Sequence, residues 1–287
     1  MKLFVDLIRP AGAQRLAVFL HGILGSGQNL RTVARRFTER CPGWAAAVVD
    51  LRGHGRSLAL DERPATIDTV AADLLETLAG GELPVAAIIG HSFGGKVAIE
   101  VARRAPAPGP LAHLVVMDSL PGARPDHRGS EAIDEVLRAL DAAPGPFASR
   151  EAFVAAIHAQ GPSVPIAQWL ATSVKRDEHG AFRFALDLTF IRAVLADYFA
   201  RDLWSVIDAP PQGLSVHLIL GGSSPVFGAD DRARAEALAA RAVITIDVLP
   251  TGHWVHAEDP DGVVRALSER LGERGSTDGA TDGTVAS

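Results

Sequence analysis

Apolar residues fall along this chain in two alternating rhythms. Short apolar runs at 3–8, 15–20, 44–49, 85–89, 111–117, 214–220 and 243–249 read as strands, the most compact of them buried on both faces. Between them lie stretches where apolar positions recur every three or four residues. Leu30, Val33, Ala34 and Phe37 make one stripe on a helix over 29–40, and Val70, Leu74, Leu75 and Leu78 another over 67–78. Further helices are expected over 96–102, 230–242 and 261–271. Strand alternating with helix implies an α/β architecture, a mostly parallel sheet with helices on both faces, whose ligands gather at the carboxyl ends of the strands.

The alternation stops between 122 and 211. That stretch reads as helices over 130–140, 150–159, 164–174 and 188–206, separated by Pro and Gly, and it carries Phe147, Phe153, Trp169, Phe182, Phe184, Phe190, Tyr198, Phe199 and Trp204. Inserted between two sheet strands, it is expected to form a helical cap over the ligand edge. Most of its aromatics should pack the cap's own core, with a few facing the pocket. The expected organisation is therefore a core over 1–121, a cap over 122–211, the core again over 212–273, and a small, polar, disordered tail over 274–287.

Three loops carry candidate chemistry. The first is Gly90-His91-Ser92-Phe93-Gly94-Gly95, at the junction of the 85–89 strand and the 96–102 helix. Strand, sharp turn and helix around Gly-x-Ser-x-Gly is the setting of a nucleophile elbow: the turn strains the serine backbone, and the glycines avoid collision with neighbouring elements. Ser92 would then sit at a helix N-terminus, where developing negative charge is favoured. The second is His21-Gly22-Ile23-Leu24-Gly25, directly after the 15–20 strand. An acyl-transfer site needs two backbone donors for an oxyanion, one after the nucleophile and one from an earlier loop. Phe93 is the first by position, and Ile23, with Leu24 as its neighbour, the second. The third is Thr251-Gly252-His253-Trp254-Val255-His256, which offers a general base late in the chain.

Other residues compete for these roles. His54, in Asp50-Leu51-Arg52-Gly53-His54-Gly55-Arg56-Ser57, precedes the serine and reads as a loop element rather than the base; Asp50 and Arg52 are expected to pair and shape that loop. His256 competes with His253. For the acid, Asp118 follows the 111–117 strand, its bland alternative being a turn cap, while Asp230 and Asp231 are weaker candidates.

Composition narrows the partners. Hydrophobic residues make up 47% of 287 and charged ones 22%, as in an ordinary globular protein, and the net charge of −6 without a basic block argues against nucleic acid and anionic membranes. Cys41 is the only cysteine, which excludes an internal disulfide and a cysteine-based metal site. Asp6 and Arg9 interrupt the start before an apolar segment develops, so no targeting segment is expected and a cytoplasmic location fits.

With GHSFGGK, the His-Gly loop, DLRGHGRS and GHWVHAEDP in this order, the chain resembles the α/β-hydrolase superfamily over nearly its whole length. Within it the chain looks most like the small bacterial esterase group related to mitochondrial abhydrolase-domain protein 11, on Met117-Asp118-Ser119-Leu120-Pro121 and Gly222-Ser223-Ser224-Pro225. The resemblance implies the α/β-hydrolase fold, with Ser92 as nucleophile, His253 as base and Asp118 as acid. Many members carry an aspartate after the 214–220 strand, where this chain has Ser224, which cannot supply a charge. The implied reaction is hydrolysis of small-molecule carboxylic esters or thioesters of small to medium acyl groups through an acyl-enzyme, with no metal or organic cofactor. A cofactor-free perhydrolase or haloperoxidase, a carbon–carbon bond hydrolase or lyase, and a non-catalytic small-molecule receptor share the scaffold.

Overall fold

The computed structural model, which describes residues 1–126 and 131–272, joins the seven apolar runs edge to edge in one sheet. The chain runs β1 (Phe4–Ile8), β2 (Arg15–Leu20), α1 (Gln28–Arg40), β3 (Trp44–Asp50), α2 (Ile67–Leu78), β4 (Val85–His91), α3 (Phe93–Arg104) and β5 (His113–Met117). There follow α4 (Glu131–Ala142), α5 (Arg150–His158), α6 (Val164–Leu170), a 3₁₀ turn (Ala171–Ser173), β6 (Val174–Arg176), β7 (Phe182–Phe184), α7 (Leu188–Ala200) and α8 (Trp204–Asp208). The sheet resumes with β8 (Ser215–Gly221), α9 (Ala229–Ala240), β9 (Ile244–Leu249), α10 (Val255–Glu258) and α11 (Pro260–Leu271).

The strand order is β1-β3-β2-β4-β5-β8-β9. Only β1 runs antiparallel, against β3. Chain direction across the sheet reverses between β2 and β4, so the loops leaving these strands part and open a crevice at their carboxyl ends. Alternate side chains then feed two cores. Phe19, Val48, Ile89 and Val115 pack with Phe37 of α1 and Leu267 of α11 on one face; Val18, Val49, Ile88 and Val116 pack with Val70 of α2, Val97 of α3 and Leu238 of α9 on the other. Each such apolar side chain contributes roughly 1.5–3 kcal/mol by leaving water.

The inserted stretch departs from the expected helices in two places. The helix expected over 164–174 ends at Leu170, and the chain turns through Ala171–Ser173 into a hairpin of β6 and β7. Its turn is made by Asp177, whose Oδ1 accepts the N–H groups of His179 and Ala181, and by Gly180 at φ +82°. The helix expected over 188–206 is two helices. Between α7 and α8 the Arg201 carbonyl accepts from Lys96 Nζ, Leu203 N–H donates to the Pro121 carbonyl, and Asp202 Oδ1 accepts the N–H of Trp204. The expected Asp50–Arg52 pair is also replaced: Asp50 accepts the N–H groups of Gly27 and Arg56, while Arg52 pairs with Asp61 and, at 2.9 Å, with buried Asp73. The first residue of the helix expected over 130–140 and the tail expected over 274–287 lie outside the described residues. Among the described residues no helix is long and apolar enough to cross a membrane.

Two expectations follow. A Cβ at Gly90 would lie 2.1 Å from the Gly94 carbonyl oxygen, so Gly90→Ala must push α3 off β4. The substitution should cost about 3 kcal/mol or more and lower Tm by roughly 6–12 °C; an unchanged melting curve would contradict this packing. The second concerns buried imidazoles. Desolvation pushes His21, His217 and His256 down to about 4, His54 to about 3, and His91 well below its ordinary value. Above pH ~6.5 these side chains are neutral whether folded or unfolded. Below it the unfolded chain takes up protons first, so stability should fall progressively from pH ~6.5 to ~4, before ordinary carboxylates titrate. Thermal melts at pH 7.5, 6.0 and 5.0 check this, and a flat profile over that range is the contrary result.

Candidate active site

The frame of the site is the sheet's own ladder, carried past the strand ends. Ser92 N–H donates to the Met117 carbonyl, Asp118 N–H to the Ile219 carbonyl, and Gly94 N–H to the His21 carbonyl. These bonds hold Ser92 at φ 51° and Asp118 at φ 44°, conformations that a side chain resists. Gly94 is required where α3 passes β2, because a Cβ there would lie 2.4 Å from the Leu20 carbonyl oxygen.

His253, on the loop after β9, lies between the two strained residues. Its Nε2 is 3.1 Å from Ser92 Oγ and its Nδ1 is 2.6 Å from Asp118 Oδ2. A carboxylate only accepts, so Nδ1 carries the proton and Nε2 presents its lone pair to the serine hydroxyl. Asp118 is buried, and its carboxylate is held on both oxygens: Oδ1 accepts the Gly221 N–H at 3.0 Å, and Oδ2 also accepts the Ser224 hydroxyl. Ser224 thus stands just beyond β8 as a donor to Asp118 at the end of the neighbouring strand.

The remaining candidates take no part in these hydrogen bonds. Asp231 pairs with Arg124 at 2.9 Å and Asp230 is exposed at the start of α9. His256 is buried against His91 with ring centroids 4.4 Å apart, and among the described residues its Nδ1 has no hydrogen-bond partner. His54 packs beneath the His-Gly loop, where its Nε2 accepts the Leu24 N–H at 3.1 Å. That bond occupies the Leu24 N–H, while Ile23 lines the same cavity as Ser92.

Ile23, Ser92, Phe93 and His253 line one cavity of about 200 Å³. Across from them the wall comes from the inserted helices: Ile133 and Val136 of α4, Ile166 and Trp169 of α6, and Leu195, Tyr198 and Phe199 of α7. No Asp, Glu, Lys or Arg lines it among the described residues. Of the inserted aromatics, Trp169, Tyr198 and Phe199 face the cavity, while Phe153 and Phe190 are buried in the core. Lys96 ties this wall to the elbow helix. Its buried Nζ donates to the carbonyls of Gly122, Tyr198 and Arg201 at 2.8, 2.7 and 3.0 Å, and desolvation lowers its pKa to about 7.

Three contributors were not evident from the sequence. His91 Nε2–H donates to the His253 backbone carbonyl at 2.8 Å, so the residue before Ser92 steadies the histidine loop. Its signal was its place inside Gly-x-Ser-x-Gly. Lys96 was signalled by a charge in the first turn of the helix after Ser92, and Ser224 by replacing an expected carboxylate. Among the described residues, no group of three or more His, Cys, Asp or Glu side chains is arranged to hold a metal ion.

The chain is similar to known proteins over most of its length. The chain is 28% identical to sn-1-specific diacylglycerol lipase ABHD11 of Danio rerio over 266 residues, 91% of this chain and 79% of that protein. It is 29% identical to esterase YbfF of Escherichia coli over 270 residues, 89% of this chain and 92% of that one. The solved structure of a marine microorganism esterase superposes with a TM-score of 0.80 at 22% identity, covering 94% of this chain and 99% of that chain. The family model described as the alpha/beta hydrolase family matches residues 17–266, nearly all of the seven-stranded scaffold, and the chain belongs to that family.

Proposed function

We propose that this protein is a serine carboxylesterase or thioesterase acting on uncharged substrates with small to medium acyl groups. The observation that carries the reading is the relay Asp118–His253–Ser92, with contacts of 2.6 and 3.1 Å, opening onto an apolar cavity. The esterase and lipase names of the relatives support the same reaction class.

In this reading His253 Nε2 takes the proton as Ser92 Oγ attacks the acyl carbon, and the negative charge on the acyl oxygen is met by the N–H groups of Ile23 and Phe93. Asp118 stabilises the imidazolium and keeps the ring in the tautomer that can accept a proton. His253 then donates that proton to the departing alkoxide or thiolate, and water repeats the sequence on the acyl-enzyme. A cavity of about 200 Å³ is small beside sites for drug-sized ligands, which supports acyl groups of modest length. Among the described residues its lining offers no cation to a carboxylate-bearing substrate. The inserted helices act here as a cap that sets the depth of the acyl pocket.

Turnover of 4-nitrophenyl esters tests the assignment. Ser92→Ala should abolish it while leaving the melting temperature close to that of the parent. Asp118→Asn should lower kcat by about 10³–10⁴-fold. Turnover that survives Ser92→Ala, or an unchanged kcat in Asp118→Asn, would assign the nucleophile or the acid to another residue.

A further inference from the structure

The loop after β3 holds an imidazole that the relay does not use. His54 is fully buried, and its contacts fix its tautomer: Nδ1–H donates to the Arg52 carbonyl at 2.9 Å, so Nε2 accepts the Leu24 N–H at 3.1 Å. Leu24 stands at φ 61°, a conformation that a leucine holds only when its surroundings impose it. The peptide plane on the other side of Ile23 is gripped as well. His21 Nε2 accepts the Leu51 N–H at 3.0 Å, so His21 Nδ1–H donates to the Gly22 carbonyl at 2.7 Å. In a trans peptide the carbonyl and the following N–H point in opposite directions, so holding the Gly22 oxygen aims the Ile23 N–H the other way. The His21 and His54 rings lie 5.1 Å apart, and the His54 ring also stacks on that of Phe93 at 6.0 Å.

We infer that His54 is a positioning residue for the oxyanion hole: through its acceptor nitrogen and its stack on Phe93 it sets both backbone donors, Ile23 N–H and Phe93 N–H, at the spacing a tetrahedral intermediate requires. The inference rests on the serine-hydrolase reading above. Burial keeps the ring neutral, with a pKa of about 3, so the acceptor lone pair persists at working pH. An oxyanion hole is effective because its donors are fixed before charge develops. Loss of the acceptor should therefore weaken binding of the transition state and leave ground-state binding of the ester largely alone.

The test compares His54→Asn, whose side chain is too short to reach Leu24, with His54→Gln, whose amide oxygen can accept that N–H. Two readouts are needed: kcat and KM on 4-nitrophenyl butyrate, and inhibition by an alkyl trifluoromethyl ketone, whose hydrate-like adduct with a serine places an oxyanion in the hole. Parent turnover that disappears in Ser92→Ala establishes the serine reading independently. His54→Asn should then lower kcat by about 10–100-fold, less than the loss of a whole donor, with KM within about twofold and ketone affinity weakened in proportion to kcat. His54→Gln should recover most of both. If only one variant folds, the proportion between kcat and ketone affinity still decides. A wild-type kcat in His54→Asn, a loss confined to KM, no advantage of Gln over Asn, or a fall in kcat with unchanged ketone affinity would each overturn the proposal.

Discussion

Everything at the site depends on backbone held in conformations it would not choose. Four non-glycine residues among those described have positive φ, and three of them, Leu24, Ser92 and Asp118, follow the carboxyl ends of β2, β4 and β5. Each such residue costs on the order of 1–3 kcal/mol. The cost is offset by the hydrogen bonds that carry the ladder beyond the strands, from Ser92 to Met117 and from Asp118 to Ile219, and by a doubly covered core that resists local relaxation. Strain here is a positioning device: side chains on adjacent strand ends turn toward one another instead of continuing along the sheet.

Hydrogen-bond direction then does for the side chains what the ladder does for the backbone. Asp118 has acceptors only; Gly221 N–H, Ser224 Oγ–H and His253 Nδ1–H all point at it. His91 donates to the carbonyl of His253, which steadies the loop that carries the imidazole. Lys96, one turn beyond Ser92 on α3, reaches carbonyls at both ends of the inserted segment. The elbow, the histidine loop and the cavity roof are thus joined through a few donors of fixed direction, buried where water competes poorly.

Much of this was legible beforehand, for physical reasons. The inner sheet strands stood out because a strand covered on both faces must be nearly all apolar, while the half-exposed edge strands β1 and β9 showed as apolar runs interrupted by Asp6 and Asp247. Ser92, His253 and Asp118 were recognisable because sharp glycine turns and strand ends leave local marks in a sequence, and the geometry brings those three together. Less legible was whatever depends on a distant partner. The break between α7 and α8 is made where Arg201 and Leu203 turn to Lys96 and Pro121, contacts no periodicity reports. Likewise Arg52 lies two residues from Asp50 yet pairs with Asp61 and Asp73, because Asp50 is occupied by backbone donors of Gly27 and Arg56. The hairpin of β6 and β7 is too short for alternation to show, and its turn is set by Asp177 side-chain bonds that no periodicity reports.

The central claim is that one hydroxyl is activated by one imidazole. Intact mass followed by peptide mapping after exposure to a fluorophosphonate measures this most directly. The account predicts a single adduct, on Ser92, and none in His253→Ala under the same exposure. An adduct on another residue, or undiminished labelling of Ser92 when His253 is alanine, would contradict it.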